Sequence, residues 1–438
     1  MSVNTSARRE TLGFLAVTAI GIGGMVGGGI FAVLGLAVQL AHGGTPVAFL
    51  LAGAVALLTS YSYARLSVAF PSQGGTVEFL NQGFGVGLFT GAANVLLWIS
   101  YVVMLALYAY AFGSYGASLF PAAVQPLARH LLLSGAIVLL TALNAAGSRA
   151  VGEAEEWIVG LKLLILLVFV VAGLSGGDYH RVAPSSWSPL PQLVAGGMII
   201  FLAYEGFELI ANAAADARRP ERTLPAAYYA SVGFVIVLYV LVSLVAVANL
   251  PVPRIVAAED YALAEAARPF LGSFGFTLIA VAALLSTGSA INATLYGSAR
   301  VSYVIAKDGE LPEVLERKIW QRPVEGLLVT AAVSLLVANL FDLSSISMMG
   351  SAGFLLIFAA VNVANARLAG RTGSRPWLSA LGAIACAAAL ATLIWQRLEA
   401  APRDIWVLAA MLALSVAIEG TYRLATGRRI RARFGARD

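Results

Sequence analysis

Long stretches without a single charged side chain limit what this chain can fold into. Each is longer than the roughly 20 apolar residues that a helix needs to cross the hydrocarbon core of a bilayer. A soluble protein could not cover its surface with this sequence, because 59% of the residues are hydrophobic and 12% are charged, against roughly 25% charged in an average soluble domain. The pattern therefore predicts an all-α membrane protein. The windows are Thr11–Ala41, Phe79–Ala128, Thr223–Pro253, Pro269–Ala299 and Leu343–Ala366.

The same pattern predicts twelve transmembrane helices and no soluble domain. With a cytoplasmic N-terminus, 20 of the 28 lysines and arginines fall in cytoplasmic segments and 6 in outer loops, while Lys162 and Arg300 lie within helices. Positive charge collects on the cytoplasmic side, so we expect a multi-pass protein of the cell membrane with both termini in the cytoplasm. The basic tail at 428–438 would anchor there or recognise particular lipids. The predicted helices cover about 12–40, 45–69, 84–115, 130–148, 155–176, 190–215, 224–250, 271–305, 324–341, 344–368, 376–397 and 404–424.

Composition also excludes several kinds of site. The single cysteine, Cys386, lies in an apolar run and the three histidines are scattered over loops, so we expect no intramolecular disulfide, no metal site and no cofactor. The net charge of +5 comes from short loops and the C-terminus, which argues against a nucleic-acid partner. The apolar run after Arg9 is too long for a cleaved signal peptide.

Glycines crowd the first predicted helix, where six of them fall within the nine residues Gly21–Gly29. They could serve close helix packing of the small-xxx-small kind. A nucleotide-binding loop is excluded, because no soluble βαβ unit surrounds them. The functional alternative is a helix that unwinds in mid-membrane, since consecutive glycines lower helix stability and expose backbone amides that can hold a carboxylate. The residues alone leave packing and unwinding open.

The sixth predicted helix places two carboxylates, Glu205 and Glu208, in the middle of an apolar span. Ionisable groups at this depth are costly and usually mark a transport pathway, a proton site or a partner charge. A pair satisfied by helix packing is the structural alternative. The first and sixth helices are five helices apart, which fits an inverted repeat of five plus five helices with the substrate between two broken helices.

Four motifs in this order resemble the amino acid–polyamine–organocation (APC) superfamily of permeases. They are GGGIF at 27–31, PSQGG at 71–75, FLAYEGFELIANAAADARRPERTLPAA at 201–227 and GSARVSYVIAKDGELP at 297–312. The resemblance implies a leucine-transporter-like fold. Its transport core would span 1–370, with repeats at about 12–176 and 190–368, and the region 371–438 would hold helices eleven and twelve and the tail.

The resemblance also implies binding residues in the first and sixth helices. Backbone amides would receive a substrate carboxylate, carbonyl groups would accept its amino group, and an aromatic side chain would act as a gate. Two positions depart from the family: Arg65 stands where an acidic residue is frequent, and Glu205 stands where many members have an apolar one. The implied residues are Gly27, Gly28 and Gly29 for the carboxylate, Ile22, Met25, Leu202, Ala203 and Glu205 for the amino group, and Phe207 for the gate.

Lys162 lies in the fifth predicted helix, where its long side chain could reach the cytoplasmic interface. The resemblance favours another role. In proton-coupled members a lysine here takes the place of a sodium ion and contacts carbonyls of helix one and a hydroxyl of helix eight. Burial makes the charged form of a lysine costly, which would let it exchange a proton. The candidates for proton coupling are Lys162, Glu208, Ser286, Thr287 and Ser289.

These patterns together predict a secondary transporter of amino acids or related amines, with proton-coupled uptake by alternating access. Its partners would be a small-molecule substrate, protons and the lipid bilayer. An amino acid or amine exchanger is the main alternative. A membrane enzyme is disfavoured because the chain offers no nucleophile or metal constellation. Two broken helices disfavour a channel, and the lack of a soluble signalling domain disfavours a transport-derived sensor.

Overall fold

The computed structural model describes residues 12–72, 74–85, 87–146, 150–307 and 324–426. Within these ranges the protein is helical, with two isolated backbone bridges, Leu12 to Ala217 and His42 to Trp187. Nine described helices are long and apolar enough to cross a membrane, and two bent helix pairs raise the number of candidate spans to as many as eleven. The predicted tail at 428–438 and the last residues of the fourth motif lie outside the described residues.

Seventeen α-helices follow one another along the described chain, joined by short 3₁₀ turns and loops. They are α1 Phe14–Met25, α2 Gly29–Ala41, α3 Thr45–Ala69, α4 Thr76–Phe84, α5 Leu88–Ala117, α6 Gln125–Ala146, α7 Ala150–Leu174, α8 Leu190–Ile199, α9 Leu209–Asn212, α10 Pro220–Asn249, α11 Val252–Ala257, α12 Ala262–Lys307, α13 Val324–Leu340, α14 Leu343–Arg367, α15 Ala369–Thr372, α16 Pro376–Ala400 and α17 Pro402–Thr426.

The predicted twelve spans correspond to these helices in order. The first and sixth predicted spans are each a bent pair, α1 with α2 and α8 with the segment Phe201–Asn212. The predicted ninth span is α13, which is apolar but shorter than the other candidates. The count of twelve therefore stays a prediction, whereas the order of the helices along the chain follows the hydropathy pattern.

One predicted helix start coincides with a kink in α12. The range Ala262–Lys307 joins two helical segments, because the backbone leaves helical geometry at Gly272, with φ 61° and ψ −154°, in a region that glycine occupies most easily. The charged residues Glu265 and Arg268 lie in the segment before that point. The predicted start near 271 therefore marks the beginning of the longer, apolar segment, and the short segment before the kink was not predicted.

The two bent pairs lie against each other at the centre of the bundle. Helix α1 packs against α10 and against the 3₁₀ segment Phe201–Glu208, and α2 packs against α8. The bend is 46° in the first pair and 42° in the second. Neighbouring contacts of α3 with α10 and of α5 with α12 enclose these pairs. Both interruptions of the helical backbone are therefore held inside the protein, where such irregular segments are tolerated at membrane depth.

Candidate functional site

The chain turns at residues 26–28, between α1 and α2. Hydroxyl groups from two other helices satisfy carbonyls in this turn. Tyr239 of α10 donates to the Met25 carbonyl at 2.6 Å. Ser286 of α12 donates to the carbonyls of Val26, at 2.9 Å, and of Gly27. A buried carbonyl without a hydrogen-bond partner would be costly in this apolar setting. These hydroxyls therefore stabilise the turn.

Glycines let the first and sixth spans approach each other backbone to backbone. A Cβ atom on Gly24 would lie 2.8 Å from the carbonyl oxygen of Gly206. A Cβ atom on Gly29 would lie 2.7 Å from the Cα atom of Ala203. Contacts of this length leave no room for any larger residue. Close packing and an interrupted helix thus occur together, and the two interpretations of the glycine run do not exclude each other.

Two glycines predicted to receive a carboxylate lie beneath side chains in this conformation. A Cβ atom on Gly28 would lie 2.3 Å from the ring of Tyr108. A Cβ atom on Gly27 would lie 3.1 Å from the Cβ atom of Ala290. The Tyr108 ring therefore occupies the space on the Cβ side of Gly28.

The predicted carbonyl acceptors of the first helix already have partners. The Ile22 carbonyl accepts from the amide of Val26 at 2.8 Å, and Met25 accepts from Tyr239. The Tyr239 hydroxyl also lies 3.4 Å from the carbonyl of Ala203. Tyr239 thus joins the interruptions of both bent pairs, and a bound amino group would share or displace these hydrogen bonds.

The sixth span tightens where the sequence predicted unwound backbone. Residues Phe201–Glu208 form a 3₁₀-helix, in which each amide bonds three residues back and much of the backbone stays paired. Ser351 of α14 completes the pairing at its start, because it donates to the Ile199 carbonyl at 2.9 Å and accepts from the Leu202 amide at 3.2 Å. The predicted carbonyl acceptors at 202, 203 and 205 therefore belong to a 3₁₀-helix and not to unwound backbone.

The two carboxylates of the sixth span have different surroundings. Glu208 is 1% exposed, and hydroxyls from three helices donate to it. Tyr63 of α3 and Thr76 of α4 each lie 3.2 Å from its Oε2 atom, and Tyr101 of α5 donates to its Oε1 atom. Glu208 therefore ties the sixth span to its neighbours.

Glu205 instead lines a cavity of about 600 Å³. Its side chain is 5% exposed, and its Oε2 atom accepts no hydrogen bond from the described residues. The Tyr108 hydroxyl interacts with the same carboxylate. The cavity extends from Gly24 along α1 to Leu12, so it leads towards the end of the bundle at which α1 begins.

Lys162 of α7 lies at the end of α1. It is 1% exposed, and its Nζ atom donates to the Gly23 carbonyl at 3.2 Å. This buried position shows that the alternative of reaching the interface is wrong, because the side chain points into the bundle. Gly23 and Ser289 both line the cavity. Thr287, by contrast, donates to the Ala283 carbonyl of its own helix at 2.7 Å.

Ion pairs hold the opposite end of the bundle. Arg129 lies 3.2 Å from Asp260, and Arg397 lies 3.3 Å from Asp404. Burial raises the pKa of Asp260, and the neighbouring Arg129 opposes that increase. A second cavity of about 560 Å³ lies here, with Asp260 and Arg397 in its wall. The two cavities have no lining residue in common.

The family of the chain follows from comparison with known proteins. Residues 12–416 match the model of a family described as amino acid permease. The chain belongs to this family. The predicted resemblance to APC permeases is thereby confirmed, and the permease is a multi-pass membrane transporter of amino acids or related amines rather than an enzyme.

Individual relatives agree with this assignment. An uncharacterized protein of Methanocaldococcus jannaschii is 38% identical, over 84% of the permease and 85% of that protein. The inner membrane transport protein YbaT of Escherichia coli is 34% identical, over 84% of the permease and 86% of its own length. A methylthioribose transporter of Bacillus subtilis is 26% identical, over 81% and 80% respectively.

Not every predicted site residue of the permease lies at the cavity. Glu205 and Ser289 line it, and Lys162 reaches the Gly23 carbonyl on its wall. Phe207 packs instead into an aromatic cluster, with ring centroids 5.3 Å from Tyr63 and 5.2 Å from Phe358. The structure thus brings Lys162, Ser286 and Ser289 close to the first span, whereas the predicted gate Phe207 does not line the cavity.

Sequence reasoning missed the hydroxyl groups that complete the site. The signal was present, because a tyrosine in an apolar span must find a partner for its hydroxyl. The partner of each hydroxyl comes from a helix far away in the chain. The sequence could therefore mark these residues as candidates, but it could not assign their hydrogen-bond partners. They are Tyr63, Thr76, Tyr101, Tyr108, Tyr239 and Ser351.

Proposed function

We propose that the permease is a proton-coupled symporter that takes amino acids or related amines into the cell by alternating access. The observation that carries this proposal is the contact of the Lys162 ammonium with the Gly23 carbonyl at 3.2 Å. Gly23 is the residue before Gly24, where the first and sixth spans contact each other. Because Lys162 can gain or lose a proton, its contact with Gly23 links protonation to the position of α1, which forms part of the cavity wall.

The coupling works through the end of α1. Carbonyl groups at a helix C-terminus carry partial negative charge, which a protonated Lys162 neutralises. A hydrogen bond to a charged group contributes about 1.5–3 kcal/mol. Loss of the proton removes this stabilisation and frees α1 to move relative to α7. That energy shifts a two-state equilibrium by about tenfold or more, enough to bias which side the cavity faces.

The substrate would bind between the two interrupted spans. The amides at Gly27, Gly28 and Gly29 lie at the start of α2, and a helix N-terminus favours a carboxylate. Carbonyls of the sixth span at Leu202, Ala203 and Glu205 would accept the amino group. Movement of Tyr108 away from Gly28 would open the first of these sites, and Phe207 would move with the sixth span as a gate.

Charge distribution supports the orientation of this transporter. Both termini would be cytoplasmic, an orientation that the excess of lysine and arginine on that side favours. The cavity beside α1 would then face the cytoplasm, and the ion pairs of Arg129 and Arg397 would lie on the outer side. The transport core would comprise residues 1–370 as two repeats, about 12–176 and 190–368, with 371–438 outside it.

Reconstituted protein tests the proposal directly. Purified permease in proteoliposomes should accumulate a labelled amino acid when an inward proton gradient is imposed, and accumulation should stop when a protonophore collapses the gradient. Uptake that ignores the gradient and depends on an internal counter-substrate would identify an exchanger instead. A prior thermal-shift screen should include methylthioribose as well as amino acids and amines, since a relative is named for that substrate.

A further inference from the structure

Two carboxylates three residues apart on the same span differ in their hydrogen-bond partners. Glu208 receives hydrogen bonds from Tyr63, Thr76 and Tyr101. Glu205 has a buried Oε2 atom that accepts no hydrogen bond from the described residues. Both side chains are nearly inaccessible to solvent. Both oxygen atoms of Glu208 thus accept hydrogen bonds, whereas Glu205 interacts with the Tyr108 hydroxyl and keeps one oxygen without a hydrogen-bond partner among the described residues.

The Glu205 carboxylate faces the transport cavity. Among the described residues that line this space, Glu205 is the one with a charged side chain. Tyr101 and Tyr108 line the same space, and the faces of their rings attract cations. The remaining wall is formed mainly by glycine, alanine and aliphatic side chains. The described wall thus holds one carboxyl group and no positive side chain, although the Lys162 ammonium contacts the Gly23 carbonyl on this wall.

A buried carboxylate of this kind requires a positive partner or a proton. A neutral amino acid brings one positive and one negative group, so it adds no net charge to the cavity. A substrate with an additional ammonium or guanidinium group brings the charge that Glu205 lacks. Hydrogen bonds between ionised groups are about twice as strong as neutral ones, so the preference for such a substrate would be large.

We propose that Glu205 selects substrates that carry net positive charge, such as basic amino acids or amines, by pairing with their additional cationic group. This inference rests on the proposed transport function and assigns the substrate class of the same cavity. Glu205 acts by direct contact with the substrate, whereas Glu208 holds the sixth span in place through its hydroxyl partners.

Matched ligands isolate the charge from size and shape. Arginine and citrulline have nearly the same shape and differ in the charge of the side-chain end group. Binding of each to the purified full-length permease would be measured by competition against a labelled substrate. The wild-type protein should bind arginine at least about tenfold more tightly than citrulline. Equal affinity, or a preference for citrulline, would overturn the proposal.

Variants assign the preference to one side chain. Glu205→Gln should weaken arginine by about tenfold to a hundredfold and change citrulline by less than about threefold. Glu205→Asp keeps the carboxylate, so it should keep the preference for arginine over citrulline even if the affinity for both falls. This variant replaces Glu205→Gln in the test if the glutamine variant does not fold. Glu265→Gln, which changes a partly exposed ion pair that does not line the cavity, should leave the arginine-to-citrulline ratio unchanged. A loss shared equally by both ligands would contradict the role of Glu205.

The outcome separates this proposal from the transport function itself. If citrulline or another neutral amino acid is accumulated with the proton gradient while arginine has no advantage, the selectivity proposal alone fails. If no amino acid or amine binds to the wild-type protein, the proposed function fails. If Glu205→Gln alters the response to the proton gradient but not the ligand ratio, Glu205 carries a proton instead of pairing with substrate, and the proposal is again overturned.

Discussion

Gly24 and Gly206 bring the first and sixth spans into direct backbone contact. A Cβ atom built on Gly206 would lie 2.2 Å from the carbonyl carbon of Gly24 and 2.4 Å from the amide nitrogen of Met25. Rigid backbone atoms cannot yield as a flexible side chain can. The two interruptions of the helical backbone therefore meet at a pair of glycines, one residue beyond the carbonyl that Lys162 contacts.

Replacement of Gly206 tests this contact. Gly206→Ala should force α1 and the 3₁₀ segment Phe201–Glu208 apart, and overpacking of this kind costs about 1–3 kcal/mol. The melting temperature of the detergent-solubilised protein should fall. Gly233→Ala is a matched control, because nothing lies within 4 Å of its Cβ position in α10 and alanine favours a helix. A melting temperature for Gly206→Ala equal to that of the control would contradict the contact.

Lys162→Ala should uncouple transport from the proton gradient. Alanine has no titratable group and cannot hold the Gly23 carbonyl, so an imposed inward gradient should raise uptake at least about tenfold less than in the wild type. Proteoliposome uptake with and without the gradient measures this. Arg254→Ala removes an exposed positive charge of α11 and should keep the gradient response. Undiminished stimulation of the Lys162→Ala protein would remove Lys162 from the coupling mechanism.

Gly28→Val should abolish substrate binding, and it should also lower the melting temperature because overpacking costs about 1–3 kcal/mol. The added side chain would meet the Tyr108 ring, which lies 2.3 Å from the Cβ position, and would block the approach of a carboxylate to the backbone. Thermal-shift binding assays, together with size-exclusion profiles, measure the two properties separately. Gly135→Val, at a position with open space, should bind normally. Normal binding by Gly28→Val would show that the glycine run serves packing only.

Glu208→Gln should destabilise the fold through the hydroxyl cluster. An amide nitrogen would face hydroxyls that now donate to a carboxylate, and the loss of hydrogen bonds to a charged group costs about 1.5–3 kcal/mol. Thermal unfolding of the purified protein measures the loss. Glu265→Gln changes a partly exposed ion pair with Arg268, so it should cost at most about 1 kcal/mol. Equal effects of the two changes would show that the cluster contributes no special stability.

Labelling of engineered cysteines tests the orientation. Cys386 is buried, so Cys386→Ala provides a background without native thiols. Leu127→Cys, at the start of α6, should react with a membrane-impermeant maleimide from outside whole cells. Trp377→Cys, at the start of α16, should react only after the membrane is opened. Both native side chains are exposed. The reverse pattern of labelling would invert the proposed topology.

Much of the helical order was predictable because the bilayer imposes a simple rule on local sequence. Charge-free windows located the spans, and the glycine run located the turn between α1 and α2. Two conspicuous glutamates marked the sixth span. The predicted start near 271 fell at the Gly272 kink of α12, and the charged helical segment before the kink was missed because the pattern detects apolarity.

By itself, the sequence determined the class of the protein and the order of its apolar helices, since both depend on residues close together in the chain. Only the tertiary structure decided the surroundings of Glu205 and Glu208. The hydroxyls of Tyr63 and Thr76 reach Glu208 from 145 and 132 residues away, and no local pattern encodes such contacts. Two identical side chains on one span differ because different helices pack beside them.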